Sequence, residues 1–331
     1  MRSKSTFLSI FNVIFLFTSS CSFLGDQKSI IHQEQTLIEI PLKGPITKKK
    51  VEISGLTWMD ETLILLPQHP EKLGDPGVLF TLPKQSIVDF LDGKSVDAIT
   101  PGVINIFMSG LEEKILHFEG FESITVKDDN VYLTIESGKG HQMKGYLITG
   151  KISADQTEIH LDLSKMVPIQ PPIQLDNRTD EALIYYQDQI YTFFEVNGSK
   201  INPNAIAHVF DLELNAVKTV DFPNLEYRVT DAAIEEDGGV WVINQASLKD
   251  IDILPPSTLT VGLTDRSSLV EQLVKLNIKE NGFALSNVPP IQIELEDNAR
   301  NWEGLALLDG RGFLLVTDKS PDTILAFLQM P

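Results

Sequence analysis

Carboxylates recur at fixed places in this sequence. Glu122, Glu181, Asp231 and Glu303 each stand before a small residue and an apolar run, while Glu136, Glu195 and Asp318 close the apolar run that follows. Arg178, Arg228 and Arg300 stand three residues before Glu181, Asp231 and Glu303. Crowded carboxylates raise one another's pKa, which supplies a general acid or base. They also offer oxygen ligands to a hard cation such as Ca²⁺, which takes about six to eight. The seven acids are therefore candidate metal ligands, and Ca²⁺ is the expected ion. Arginines beside them would hold an anionic substrate such as a phosphate ester. Arg178, Arg228 and Arg300 are the substrate-binding candidates, with Lys139 and His141 from the loop "ESGKGHQMKG". The other role open to the arginines is structural, each clamping a carboxylate to fix the loop before a strand. No G-x-S-x-G elbow, H-E-x-x-H helix or phosphate-cradling glycine loop occurs. No nucleophile is recognised, and no nucleotide or redox cofactor is expected.

The elements that must position these residues repeat. "SGLTWMDETLILLPQ", "ESITVKDDNVYLTIE", "EALIYYQDQIYTFFE", "DAAIEEDGGVWVIN" and "EGLALLDGRGFLLVTD" share one form. Each has an acid (Ser54 in the first), a small residue, an apolar run, a polar turn and a second apolar run. Asp60-Glu61, Asp128-Asp129, Gln187-Asp188, Asp237-Gly238 and Asp309-Gly310 fill the turns, and such residues tolerate the positive φ of tight hairpins. The second runs are β-branched, aromatic and aliphatic, like buried strands. The repeats start at 54, 122, 181, 231 and 303.

Third strands are expected at 78–82, 145–152, 205–214, 271–278 and 324–330, and fourth strands at "EIHLDL", "AVKTVDF" and "IQIEL". The fold class is all-β: a β-propeller of five or six four-stranded blades, the sixth open at 85–118 or 245–290, where "SIVDFLDGKSV" also reads as a short helix and "LKDIDILPPSTLTVGLTDRSS" as a loop. "TLIEIPL" (36–42) is expected to pair into the last blade and close the ring. A β-sandwich is the alternative, but it leaves a motif that returns five times unexplained. In a blade, the start of the inner strand and the end of the next lie at one face, so the acids gather at one channel mouth.

Arg2 and Lys4, an apolar run from Phe7 to Phe17 and the small residues before Cys21 form a secretory signal. Cys21, the single cysteine, sits where a lipoprotein signal places its lipidated residue. The expected organisation is signal peptide 1–20, lipidated Cys21 and a polar tether to residue 35, and one propeller domain over 36–331. Ser22 is not an aspartate, so an outer-membrane position in a bacterial envelope is expected. Without residues 1–20 the chain keeps 25 basic against 46 acidic residues. That balance excludes nucleic acid as a partner. The protein is expected to be a monomer whose partners are the membrane and a small molecule or envelope protein.

"NWEGLALLDGRGFLLVTDKSP" resembles the signature of the phytase-like (esterase-like) β-propeller family. An Asn-x-Glu-Gly-Leu-Ala run leads to an Asp-Gly-Arg turn, a strand and Ser/Thr-Asp. Asn301, Glu303, Gly304, Leu305, Ala306, Asp309, Gly310, Arg311, Thr317 and Asp318 match it, and Lys319 stands where an asparagine is usual. The resemblance implies a propeller, export, and a channel that holds a cation. The functional expectation is an exported, lipid-anchored propeller whose acidic face binds a metal ion and hydrolyses a phosphate or carboxylic ester. The alternative is a non-catalytic envelope binding platform. Replacement Cys21→Ser is expected to release the protein from the membrane fraction; retention there would place the anchor elsewhere.

Overall fold

The structure is a computed structural model that describes residues 34–48, 51–247, 250, 269–295, 300–318 and 323–330. The signal segment and Cys21 lie outside the described residues. One compact unit spans Gln33–Pro331. Its strands fall into five four-stranded meanders, each led by one of the repeated hairpins. The first holds β2 (Ile53–Met59), β3 (Thr62–Pro67), β4 (Gly77–Pro83) and β5 (Gly102–Phe107), and the second β6 (Phe118–Lys127), β7 (Asn130–Ser137), β8 (Lys144–Ile152) and β9 (Glu158–Leu161), with β10 (Val167–Ile169) added on β8. The third holds β11 (Asp180–Tyr186), β12 (Gln189–Phe194), β13 (Ile206–Asp211) and β14 (Ala216–Asp221). The fourth holds β15 (Arg228–Ile234), β16 (Gly239–Ala246), β17 (Val270–Lys279) and β18 (Gly282–Leu285), with β19 (Ile291–Gln292) beside β17. The fifth holds β20 (Trp302–Leu308), β21 (Gly312–Thr317) and β22 (Leu325–Gln329), and β1 (Ile38–Ile40) pairs antiparallel with β22. Short parallel pairings also join β5 to β9 and β14 to β18.

The inner strands β2, β6, β11, β15 and β20 pack each on the next, and β20 packs on β2. This closed ring is the propeller, and β1 completes the last blade from the other end of the chain. The continuous apolar runs follow from burial on both faces. Leu63 and Leu65 of β3 join Leu314 and Val316 of the last blade in one core, while Ile64 and Leu66 join Leu133 and Ile135 of the second blade in another. Successive side chains leave a strand on opposite faces, so each blade needs an apolar residue at nearly every position. The turns take the expected backbone: Asp60, Asp128, Gln187, Asp188 and Asp309 all have positive φ.

Two expectations change. "IQIEL" is not the fourth strand of the fourth blade; that place goes to β18. Lys279 pairs directly with Gly282, so the chain reverses through Glu280-Asn281. The stretch 85–118 forms the helix α1 (Lys84–Leu91), the outer strand β5 and a single turn α2 (Leu111–Lys114), and no further meander. Most of the loop expected after residue 247 lies outside the described residues.

In the first and last repeats the small residue meets the next inner strand, and a Cβ on Gly55 would lie 3.3 Å from the Ile124 nitrogen. A Cβ on Gly304 would lie 2.5 Å from Val316 Cγ1 and 2.8 Å from Leu56 Cγ, with the Gly55 carbonyl carbon at 3.2 Å. Ring closure between the fifth and first blades therefore requires glycine there. Gly304→Ala is expected to destabilise the fold by about 1–3 kcal/mol, as overpacking does. An unchanged denaturation midpoint would show that the ring does not close this tightly.

Candidate functional site: a carboxylate–arginine cluster at the channel mouth

A β-bulge marks the start of every repeat. The register of the leading hairpin shifts between Ile53 and Gly55, Phe121 and Ser123, Asp180 and Ala182, Val229 and Ala232, and Trp302 and Gly304. Ser54, Glu122, Glu181, Asp231 and Glu303 are thus bulge residues. A bulge breaks the alternation of a strand and re-aims a side chain. Here it takes an acid that would otherwise fall under the strict two-faced pattern and frees it to face the channel.

Arg228 stands at the centre. Its guanidinium donates to Glu195 through Nε, to Glu181 Oε2 at 3.3 Å, to Glu303 Oε1 at 3.2 Å and to Asn301 Oδ1 at 3.1 Å. Arg178 lies 3.2 Å from Glu195 Oε2 and donates to Asp250 Oδ1 at 3.1 Å. Asn301 donates in turn to Asp318 Oδ2 at 3.0 Å. Glu136 accepts from Thr179 at 3.3 Å, and Glu122 accepts from Gln68 at 3.3 Å. The structure therefore brings together Glu122, Glu136, Glu181, Glu195, Glu303 and Asp318 with Arg178 and Arg228. All but Asp318 and Arg178 are buried.

Six carboxylates, with Asp250 a seventh on Arg178, face two guanidinium groups, which favours the protonated form of the buried acids. Burial raises Glu303 to about 8; Arg228 lowers it, and the charges of Asp318 and Glu195 raise it further. Burial and the Glu195 charge raise Glu136 to about 7, against the pull of Arg178 and Thr179. Glu122 and Glu181 are pushed well above the usual carboxylate range, first by burial and then by neighbouring glutamates.

Four candidates stand apart. Asp231 reaches across the ring instead, accepting from Ser123 Oγ at 3.0 Å and from the Leu305 N–H at 2.7 Å. It ties the second and fifth blades to the fourth. Burial raises its pKa well above 3.8, with the Leu305 and Ala232 amides and Ser123 opposing. Arg300 turns to Glu271, donating through Nε at 3.0 Å and NH2 at 2.7 Å, and lies 5.1 Å from the Trp302 ring centre. Trp302 Nε1 donates to the same carboxylate at 2.9 Å. Lys139 and His141 are exposed on the loop after β7 and line a separate cleft.

The three arginines bond acids other than the one three residues ahead, and Arg300 takes Glu271. Arg178 takes the acid at the end of its own hairpin. Arg228 takes acids from the third and fifth blades. In the first repeat Ser54 replaces the acid and donates to the Phe121 carbonyl at 2.6 Å, so that corner of the ring is closed by a hydroxyl. Among the described residues no three His, Cys, Asp or Glu side chains are grouped to hold an ion. The reason is the guanidinium of Arg228, which fills the position among Glu181, Glu195 and Glu303 where a cation would sit. The donor set does not fit Ca²⁺.

Sequence reasoning missed Asp250, Gln245 and Asn301 as parts of this site. Gln245 donates to the Trp302 carbonyl at 2.7 Å and accepts from its N–H at 3.0 Å, pinning the strand that carries Glu303. It directly follows Asn244, the residue that takes the place of a second acid in its repeat. Asp250 lies outside every repeat, so no local signal marks it.

No protein-family model and no curated protein matches the chain. Solved structures match it by shape. A β-xylosidase/α-arabinofuranosidase from a compost microbial metagenome, described in a calcium-free form with xylotriose, aligns with a TM-score of 0.50 and 8% identity over 88% of this chain and 94% of that one. An endo-arabinanase from Bacillus licheniformis aligns at 0.49 and 9% identity over 87% and 96%. A glucose dehydrogenase aligns at 0.46 and 11% identity over 89% and 99%. At such identities the likeness is one of fold, a β-propeller.

Glu136 and Glu303 bind protons more tightly in the folded state than in the unfolded one. The stability they contribute is full below their ordinary value of 4.5 and falls as pH rises through about 7 and about 8. The melting temperature is therefore expected to drop between about pH 5 and about pH 9, and Glu303→Gln to flatten the drop. A slope identical in the variant would mean that Glu303 is ionised throughout.

Proposed function

We propose that this chain is an exported, lipid-anchored propeller of the phytase-like kind whose channel mouth hydrolyses an ester. The observation that carries the reading is the pair Glu136 and Glu303, acids raised to about 7 and about 8 at the mouth that also holds Arg228. A carboxyl with its pKa near the working pH gives and takes protons efficiently. Glu303 is the general acid, protonating the leaving oxygen. Glu136 is the base that takes a proton from the attacking water. Arg178 and Arg228 hold the charge that develops on the ester oxygens. No step is routed through a metal ion.

A panel of phosphate and carboxylic esters tests the assignment. Hydrolysis of a member is expected to fall by about a hundredfold or more in Glu303→Gln, the usual contribution of a general acid. Equal rates in the variant and the parent, or no turnover of any member, would refute it.

One observation favours a non-catalytic platform. The mouth is tightly closed by its own contacts: Glu195 is 0% exposed and Arg228 8%. In that reading the cluster locks the ring, and ligands bind above it. The same Glu303→Gln variant separates the two, since a lock alone would lower the melting temperature with no hydrolysis to lose.

A further inference from the structure

We propose that a cleft beside the second blade, distinct from the channel mouth, binds a small organic oxyanion. The cleft has a volume of about 470 Å³ and runs under the loop between β7 and β8. Lys139, Lys144, His117 and His141 line it. All four are exposed. None is within ion-pair distance of a carboxylate among the described residues.

Acids outnumber Lys and Arg by 46 to 27, yet here four cationic or titratable groups stand together with no described carboxylate within ion-pair distance. His69, His160 and His208 each lie 2.9–3.5 Å from one: Glu71, Glu158 and Asp180. His117 and His141 are the described histidines left over, and both face this cleft with two unpaired lysines. A net charge of −19 repels anions from the surface as a whole, so an anion is retained only where positive groups stand together. Asp176 accepts from the Gly140 N–H at 2.7 Å.

The loop is built to hold this arrangement. Gly138 has φ +114°, and a Cβ there would lie 2.3 Å from the Gln142 carbonyl oxygen. Its N–H donates to the His117 carbonyl at 2.9 Å, which draws the His117 segment against the lysine loop. Ser137 binds the neighbouring Leu116 carbonyl at 3.0 Å. Leu116, Met143 and Tyr146 supply apolar wall, and Leu116 is 77% exposed. A lining that combines charged heads with apolar side chains suits an organic acid or phosphate monoester.

The test titrates the purified chain with phenyl phosphate, benzoate and inorganic phosphate at constant ionic strength, read by calorimetry. Saturable binding of at least one probe is expected, weakened about tenfold or more in the Lys139→Ala/Lys144→Ala double variant, a loss of about 1.4 kcal/mol. The preferred probe tells phosphate from carboxylate. Both lysines are exposed, so the variant is expected to melt with the parent. Saturation by none of the probes, or equal dissociation constants in parent and double variant, would overturn the proposal. The outcome is independent of ester hydrolysis at the channel mouth.

Discussion

A buried guanidinium that answers acids from the two blades on either side of its own sets the geometry of the channel mouth. Arg228 leads the inner strand of the fourth blade, yet its hydrogen bonds go to Glu181 and Glu195 of the third and Glu303 of the fifth. A buried charge without partners is strongly destabilising, and removing one member of such a set costs about 3–5 kcal/mol. The acids therefore need Arg228, and Arg228 needs the ring to be closed. Site and fold constrain each other through this one side chain.

The acids reach it because of a local irregularity repeated five times. An ideal strand would send Glu303 to one blade face and its neighbours to the other, into apolar cores. The bulge inserts one residue, leaves it outside the alternation and turns it to the channel. The small residue that follows lets the next inner strand come close, as at Gly304 against Leu56. The acid–small–apolar pattern is thus a bulge followed by a contact between blades. In the fourth blade the same device sends Asp231 across the ring to Ser123 and the Leu305 amide, where it joins blades and does not enter the cluster.

Much of this was legible beforehand. The hairpins and the positive φ at Asp60, Asp128 and Asp309 follow from local pattern, and the pairing of the 36–42 segment into the last blade follows from a last repeat that lacks its own fourth strand. The acids were identifiable as a set, because a repeat puts equivalent residues at one face. Their partners were not. The arginine three residues before each acid pointed to a clamp within the motif, whereas Arg178 takes Glu195 and Asp250, and Arg300 takes Glu271. Lys139 and His141 shared a face with the acids in the sequence pattern, and the loop after β7 carries them to a cleft of their own.

The sequence by itself determined which residues are strands, which are turns and which are acids at strand ends, since those depend on neighbours a few positions away. Only the tertiary structure decided which acids meet and what neutralises them. Arg228 bonds residues 33, 47 and 75 positions distant. Such contacts arise from ring closure and from the direction of each bulge, and no local spacing encodes them. The placing of a guanidinium among Glu181, Glu195 and Glu303 was decided there as well.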